Sequence, residues 1–184
     1  MNGPARDDHQ RHDEDEIQTF AARARGALTP AQVETLLRRL APDLAAISEP
    51  WTIIGSAALM IVGLPVEDCP DLDILTTEAG AAGLETRWSV WRDPDYAPDP
   101  AAVFRSRFSR YGAPEGAVEV MGGLRLRTAA GWTPVEARVV ERRLFAGVEV
   151  RVPAPAEQLR ILREFGRPKD LAKATRLEAF LAAG

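Results

Sequence analysis

Two aspartates stand one residue apart in the run Asp71-Leu72-Asp73-Ile74-Leu75. In an extended strand residues i and i+2 share a face, about 6.5 to 7 Å apart, so the two carboxylates project together while Leu72 and Ile74 enter the core. Carboxylates held side by side repel each other, and a cation removes that repulsion. Mg²⁺ (or Mn²⁺) suits such a pair, because it takes oxygen ligands and completes its shell with water and substrate phosphates. A third acid, Glu119, lies between Val118 and Val120 and so points away from two core residues. On a strand beside the first, it comes within reach of the same ion. Gly55-Ser56 falls between a β-branched run and a helix start, where free N–H groups and the positive end of the helix dipole suit an anion. Taken singly, Ser56 fits a helix cap and Asp-Leu-Asp fits a solvated strand end. Together they make a phosphate cradle facing a carboxylate pair, the equipment of phosphoryl or nucleotidyl transfer with divalent ions.

The elements that must position these residues follow from local pattern. Trp51 to Ile54 reads as a short strand and Ala57 to Val62 as a short buried helix with Gly63 near its end. Leu72 to Leu75 is the next strand and Ala79 to Leu84 a weak helix. Upstream, Ile17 to Gly26 is weakly helical. Thr29-Pro30-Ala31-Gln32 then offers a threonine cap, a proline in the first turn and a glutamine three residues on, followed by Val33, Leu36, Leu37 and Leu40 at helical spacing. Residues 93–100 carry three prolines and read as a loop. Phe104 to Tyr111 and Ala117 to Met121 form two strands around a Gly-Ala-Pro-Glu-Gly turn, with period-two alternation again over 124–128 and 144–152. Arg105, Arg107 and Tyr111 are expected on one strand face. Of the four tryptophans, Trp88 or Trp91 is expected nearest the cleft. After Pro153 and Pro155, a helix ends at Gly166 and Pro168 opens the last one. Helices flanking a mixed central sheet mean an α+β (or α/β) fold.

Composition narrows the chemistry. The chain has 184 residues, one cysteine and two histidines. With Cys69 alone there is no intrachain disulfide and no cysteine-rich zinc site, which fits a reducing compartment. His9 and His12 both lie in the acidic stretch 1–16, so the folded part is expected to work through carboxylates, lysine, arginine or backbone rather than histidine. That stretch accounts for the whole net charge of −4 and has almost nothing apolar to bury, so it reads as a disordered tail ahead of one domain, 17–184. Residues 17–184 balance at 21 basic against 21 acidic, which argues against wholesale adhesion to nucleic acid. No leader or bilayer-length apolar run is seen, so a cytoplasmic protein without a membrane partner is expected.

GSAALM, DLDIL and VEVM, in that order and in those strand contexts, resemble the signature of the DNA-polymerase-beta-like nucleotidyltransferase superfamily. The closing segment VPAPAEQLRILREFGRPKDLAKA is similar to the ending of small bacterial members, including those of toxin-antitoxin and phage-defence systems. The resemblance covers roughly residues 51–175. It implies an enzyme that moves a nucleoside monophosphate from an NTP to a hydroxyl acceptor (RNA, protein or small molecule) with release of pyrophosphate. It also implies Asp71 and Asp73 on both metal ions, Glu119 on the ion that activates the acceptor, Gly55 and Ser56 on the β- and γ-phosphates, and Arg167 and Lys169 on the triphosphate. The third acid is Glu where Asp is commoner, and little chain follows Asp170 for an acceptor-binding domain. Two alternatives stand beside this reading: a module that binds a nucleotide or partner without turnover, and an RNA- or tRNA-directed toxin paired with an antitoxin.

Overall fold

The computed structural model describes residues 26–96, 98 and 102–183. The acidic stretch 1–16 and the helix expected over 17–26, Gly26 excepted, lie outside the described residues. The cap read from the sequence is present at Thr29, whose hydroxyl accepts the Gln32 N–H at 3.3 Å while Gln32 accepts the Thr29 N–H at 3.0 Å. It opens α1 (Pro30–Ala46), whose Val33, Leu36, Leu37, Leu40 and Leu44 are all buried. Then follow β1 (Trp51–Ile54), α2 (Gly55–Ile61), β2 (Asp71–Thr76), α3 (Glu78–Arg87), β3 (Phe104–Ala113) and β4 (Gly116–Thr128). The chain closes with β5 (Gly131–Pro134), β6 (Val140–Phe145), β7 (Val148–Pro153), α4 (Pro155–Phe165) and α5 (Pro168–Ala183).

The main sheet runs β1-β2-β4-β3, with β5 added along the far half of β4. β2 and β4 are parallel and the other neighbours antiparallel, so the sheet is mixed and the fold is α+β. The β6–β7 hairpin is a separate ribbon beside β1, joined to it by the Thr52 hydroxyl, which donates to the Arg151 carbonyl at 3.1 Å. The period-two run 124–128 is the continuation of β4, and β5 is an element the sequence pattern did not suggest.

Alternation along the strands sorts their side chains. Leu72 and Ile74 of β2 and Val118 and Val120 of β4 are fully buried, in one cluster with the leucines of α1 and with Ala81 and Leu84 of α3. Burial of each such side chain stabilises the fold by about 1.5–3 kcal/mol. The residues between them, Asp71, Asp73 and Glu119, are thereby turned to the opposite face. On that side Leu75 and Met121 share a cluster with Phe165 of α4, and Leu59 and Leu64 pack with Leu162, Ala174 and Leu177, which fastens α4 and α5 to α2.

β4 bends where it passes α3. A side chain at Gly122 would lie 2.6 Å from the Ala81 Cβ, and Gly123 has φ +61, a conformation that suits glycine. The β3–β4 register shifts there, between Arg105 and Arg107. The extra residue lies on β4, and the three residues expected together on β3 meet different partners. Arg107 pairs with Glu85 of α3 at 2.7 Å and Tyr111 is buried against Trp88, ring centres 5.4 Å apart, whereas Arg105 lies over Trp132 at 5.0 Å. The tryptophan expectation is also corrected. Trp88 is 1% exposed, with its indole N–H on Asp43 at 2.8 Å, and Trp91 packs on the core; Trp132 is the one that reaches the cavity described below.

Candidate active site

Strand pairing assembles the acids. In the parallel β2–β4 ladder Asp73 stands beside Glu119, and in the antiparallel β1–β2 ladder Ile54 stands beside Asp73. The chain leaving β1 therefore turns into α2 directly against the Asp73 carboxylate. Gly55 makes that turn with φ +69, and a Cβ there would overlap the Asp73 Oδ2. Ser56, the next residue, is 3% exposed, and its hydroxyl has no hydrogen-bond partner. An unpartnered buried hydroxyl costs about 1–3 kcal/mol.

Gly55, Ser56, Asp71, Asp73 and Glu119 all line one cavity of about 510 Å³. Its second wall comes from the α4–α5 junction and the first turns of α5, through Arg167, Lys169 and Lys173. A third wall is aromatic and basic, with Trp132, Phe108, Tyr96 and Arg105.

The acids perturb one another. Burial pushes the Glu119 carboxyl up to about 6, with Asp71 adding to the shift and Arg110 opposing it. Burial, then Asp71 and Glu119, holds Asp73 well above the usual carboxylate range. Asp71 is also raised by burial, against the pull of Arg110, Lys169 and Lys173. A raised carboxyl means that the native state binds more protons than the unfolded chain between the two pKa values, so stability falls as pH rises through that window. For Glu119 the window runs from 4.5 to about 6, worth about 2 kcal/mol. Glu85 and Glu157, held low by hydrogen bonds from Arg107 and Arg160, act in the opposite sense at lower pH. We therefore expect the stability difference between Glu119→Gln and wild type, without ligand, to shift in favour of the variant between pH 4.5 and 7. Parallel thermal melts check this; a difference that does not change with pH contradicts it.

Sequence reading missed two cations here. Arg110 is the register partner of Glu119 across β3–β4 and donates to it at 2.7 Å. Counting back from the Ala113–Gly116 turn would have found it. Lys173 lies one helical turn beyond Lys169, a spacing visible in the sequence. Arg167 lines the cavity but is engaged: its Nε donates to Asp170 at 2.6 Å and its guanidinium lies over Phe104 at 4.6 Å. Asp170, 2% exposed, pairs locally as expected. Among the described residues no three His, Cys, Asp or Glu side chains are grouped so as to hold a metal ion. The hard oxygen donors of Asp71 and Asp73 fit Mg²⁺ or Mn²⁺ as a pair, and the unpartnered Ser56 hydroxyl beside them fits an oxyanion; Glu119 is bound to Arg110.

No family model and no curated protein sequence matches the chain. Solved structures do. TM1012 of Thermotoga maritima, itself a nucleotidyltransferase by assignment only, is 24% identical with a TM-score of 0.66, over 85% of this chain and 96% of its own. The lincosamide antibiotic adenylyltransferase LnuA, bound to lincomycin, is 10% identical with a TM-score of 0.55, over 83% of this chain and 98% of its own. The antibiotic-resistance factor ANT(2'')-Ia is 15% identical with a TM-score of 0.53, over 84% and 85%. At these identities the likeness is one of architecture: the chain has the nucleotidyltransferase fold. No described helix is long and apolar enough to cross a membrane.

Proposed function

We propose that this chain is a metal-dependent nucleotidyltransferase that moves a nucleoside monophosphate from an NTP to a hydroxyl of an acceptor. The observation that carries the reading is the meeting, in one cavity, of three mutually repelling carboxylates with the unpartnered Ser56 hydroxyl and the ammonium groups of Lys169 and Lys173. Asp71 and Asp73, with Glu119 once released by Arg110, would hold Mg²⁺ or Mn²⁺, which supplies neutralisation of phosphate charge and acidifies a bound hydroxyl. Gly55 and Ser56 hold the β- and γ-phosphates through backbone N–H and hydroxyl groups at the start of α2. Lys169 and Lys173 offset the triphosphate charge from the facing wall. The acceptor oxygen attacks the α-phosphorus, the bond to the β-phosphate oxygen breaks, and pyrophosphate leaves. Glu119, ionised in its larger part at pH 7 given its value of about 6, orients the acceptor hydroxyl and takes its proton.

Two structural neighbours, the lincosamide antibiotic adenylyltransferase LnuA, bound to lincomycin, and the antibiotic-resistance factor ANT(2'')-Ia, are in keeping with a small hydroxyl-bearing acceptor here, and the aromatic wall gives such a molecule a surface. RNA and protein acceptors are tested alongside. The experiment is incubation of the chain with each α-labelled NTP, Mg²⁺ or Mn²⁺, and separately RNA, protein and a metabolite extract. Labelled acceptor with pyrophosphate release is the expected result. Binding of NTP without release across all panels favours the second reading, a nucleotide-binding module without turnover, which the Arg110–Glu119 pair supports because it occupies the third acid.

Lys169→Ala and Lys173→Ala are each expected to weaken NTP binding by about 1 to 3 kcal/mol, the scale of a charge-assisted hydrogen bond. The melting temperature should hardly change, since Lys169 is exposed and Lys173 only half-buried. Calorimetric titration with NTP checks both; full affinity in the two variants means that the α5 wall is architectural.

A further inference from the structure

Glu119 is engaged before any ligand arrives. Arg110 Nη1 donates to Glu119 Oε1 at 2.7 Å, and the two side chains are 18% and 14% exposed. The ring of Tyr96 covers the guanidinium at 4.5 Å and packs on Phe108 at 5.5 Å. The segment leading to Tyr96 is tied to the same strand: the Asp93 N–H donates to the Arg110 carbonyl at 2.9 Å, and Arg92 bridges to Tyr111. An ion pair screened from water in this way is stronger than one on the surface. Cross-strand register fixes its geometry, because Arg110 and Glu119 face each other directly on neighbouring strands.

We propose that Arg110 is a positioning residue that keeps Glu119 off the Asp71–Asp73 pair in the ligand-free protein, so that an arriving divalent cation replaces the guanidinium at the Glu119 carboxylate. The inference rests on the metal-site reading above. Two acids receive the ion, and the third joins on release from Arg110, with the Tyr96 ring setting how readily that release occurs. Arg110 thus tunes the cation affinity of the site without touching substrate.

Calorimetric titration of the full chain with Mn²⁺ alone, without nucleotide, tests this. Arg110→Gln is expected to bind Mn²⁺ about tenfold tighter than wild type, since the competing charged hydrogen bond is gone. Arg110→Lys, which can still pair, should stay near wild type. Arg110 also lies close to Asp71, so its loss could act simply by removing a positive charge from the neighbourhood. The double variant Arg110→Gln/Glu119→Gln separates the two effects: holding of Glu119 predicts no tightening beyond Glu119→Gln alone, within about twofold, and general repulsion predicts the same tightening in both backgrounds. Tyr96→Ala uncovers the pair without breaking it and should tighten Mn²⁺ binding about two- to threefold; it serves as well should Arg110→Gln fail to fold. Unchanged affinity in Arg110→Gln or Tyr96→Ala, or tightening that persists in the Glu119→Gln background, overturns the proposal and leaves the metal site standing. Absence of Mn²⁺ binding in wild type and in every variant overturns both.

Discussion

Asparagine at both Asp71 and Asp73 is expected to abolish nucleotide transfer, by roughly a thousandfold or more, while the ligand-free protein becomes more stable. The two effects share one cause. Asp73 is held well above the usual carboxylate range by burial and by its acidic neighbours, so its ionised form at pH 7 is a cost to the native state. Asparagine keeps the shape and removes the charge. A gain of about 1 kcal/mol raises the melting midpoint of a chain this size by roughly 2–4 °C. In wild type, Mn²⁺ with NTP at a hundredfold excess over Kd should add about 2.7 kcal/mol, and the double variant should show none of that shift. A ligand-induced shift that survives the substitution sinks the metal assignment; a fall in the ligand-free midpoint sinks the electrostatic account.

Gly55→Ala should damage fold and site together. The left-handed conformation at φ +69 costs an L-residue about 1–2 kcal/mol, and the new methyl would overlap the Asp73 carboxylate. The aspartate or the start of α2 must move, so a loss of about 2–4 kcal/mol is expected. Displacement of this order at a reacting centre costs about a hundredfold in rate. Gly147, in the β6–β7 turn, supplies the control, since it has φ +83 and nothing within 4 Å of a built Cβ. Gly147→Ala should show the backbone cost alone, with transfer unaffected. Chemical denaturation and transfer rates for both variants decide the matter, and equal losses of stability would mean that Asp73 yields without resistance.

The face shared by Asp71 and Asp73 was legible because strand periodicity is local, and so was the Thr29 cap, whose partners lie three residues apart. The mixed sheet and its flanking helices followed from the same patterns. What escaped was set by neighbours distant in sequence. Trp88 is drawn inward by Asp43 and Tyr111, whereas Trp132 is carried to the cavity by β5, whose Gly-Trp-Thr-Pro sequence is bounded by turn-forming residues and does not read as a strand. Arg105 and Arg107 end on different partners, Trp132 of β5 and Glu85 of α3, neither of which the β3 sequence reveals. Arg110 follows from counting back along the hairpin to Glu119 once Ala113 and Gly116 are taken as its closing pair.

That register has a consequence for how the chain finds its native state. Glu119 is located twice, by Asp73 on one side and by Arg110 on the other. A slip of one residue in either pairing exchanges the two faces of the slipped strand. It would drive the carboxylates into the layer of α1 and α3 and lift Leu72, Ile74, Val118 or Val120 into the wet cavity. Burying an ionised carboxylate without a partner costs several kcal/mol, more than the marginal difference that separates competing strand alignments. The acids that crowd the cavity therefore also proofread the sheet, and a variant that neutralises them all should gain stability yet lose fidelity, refolding in part to misaligned forms.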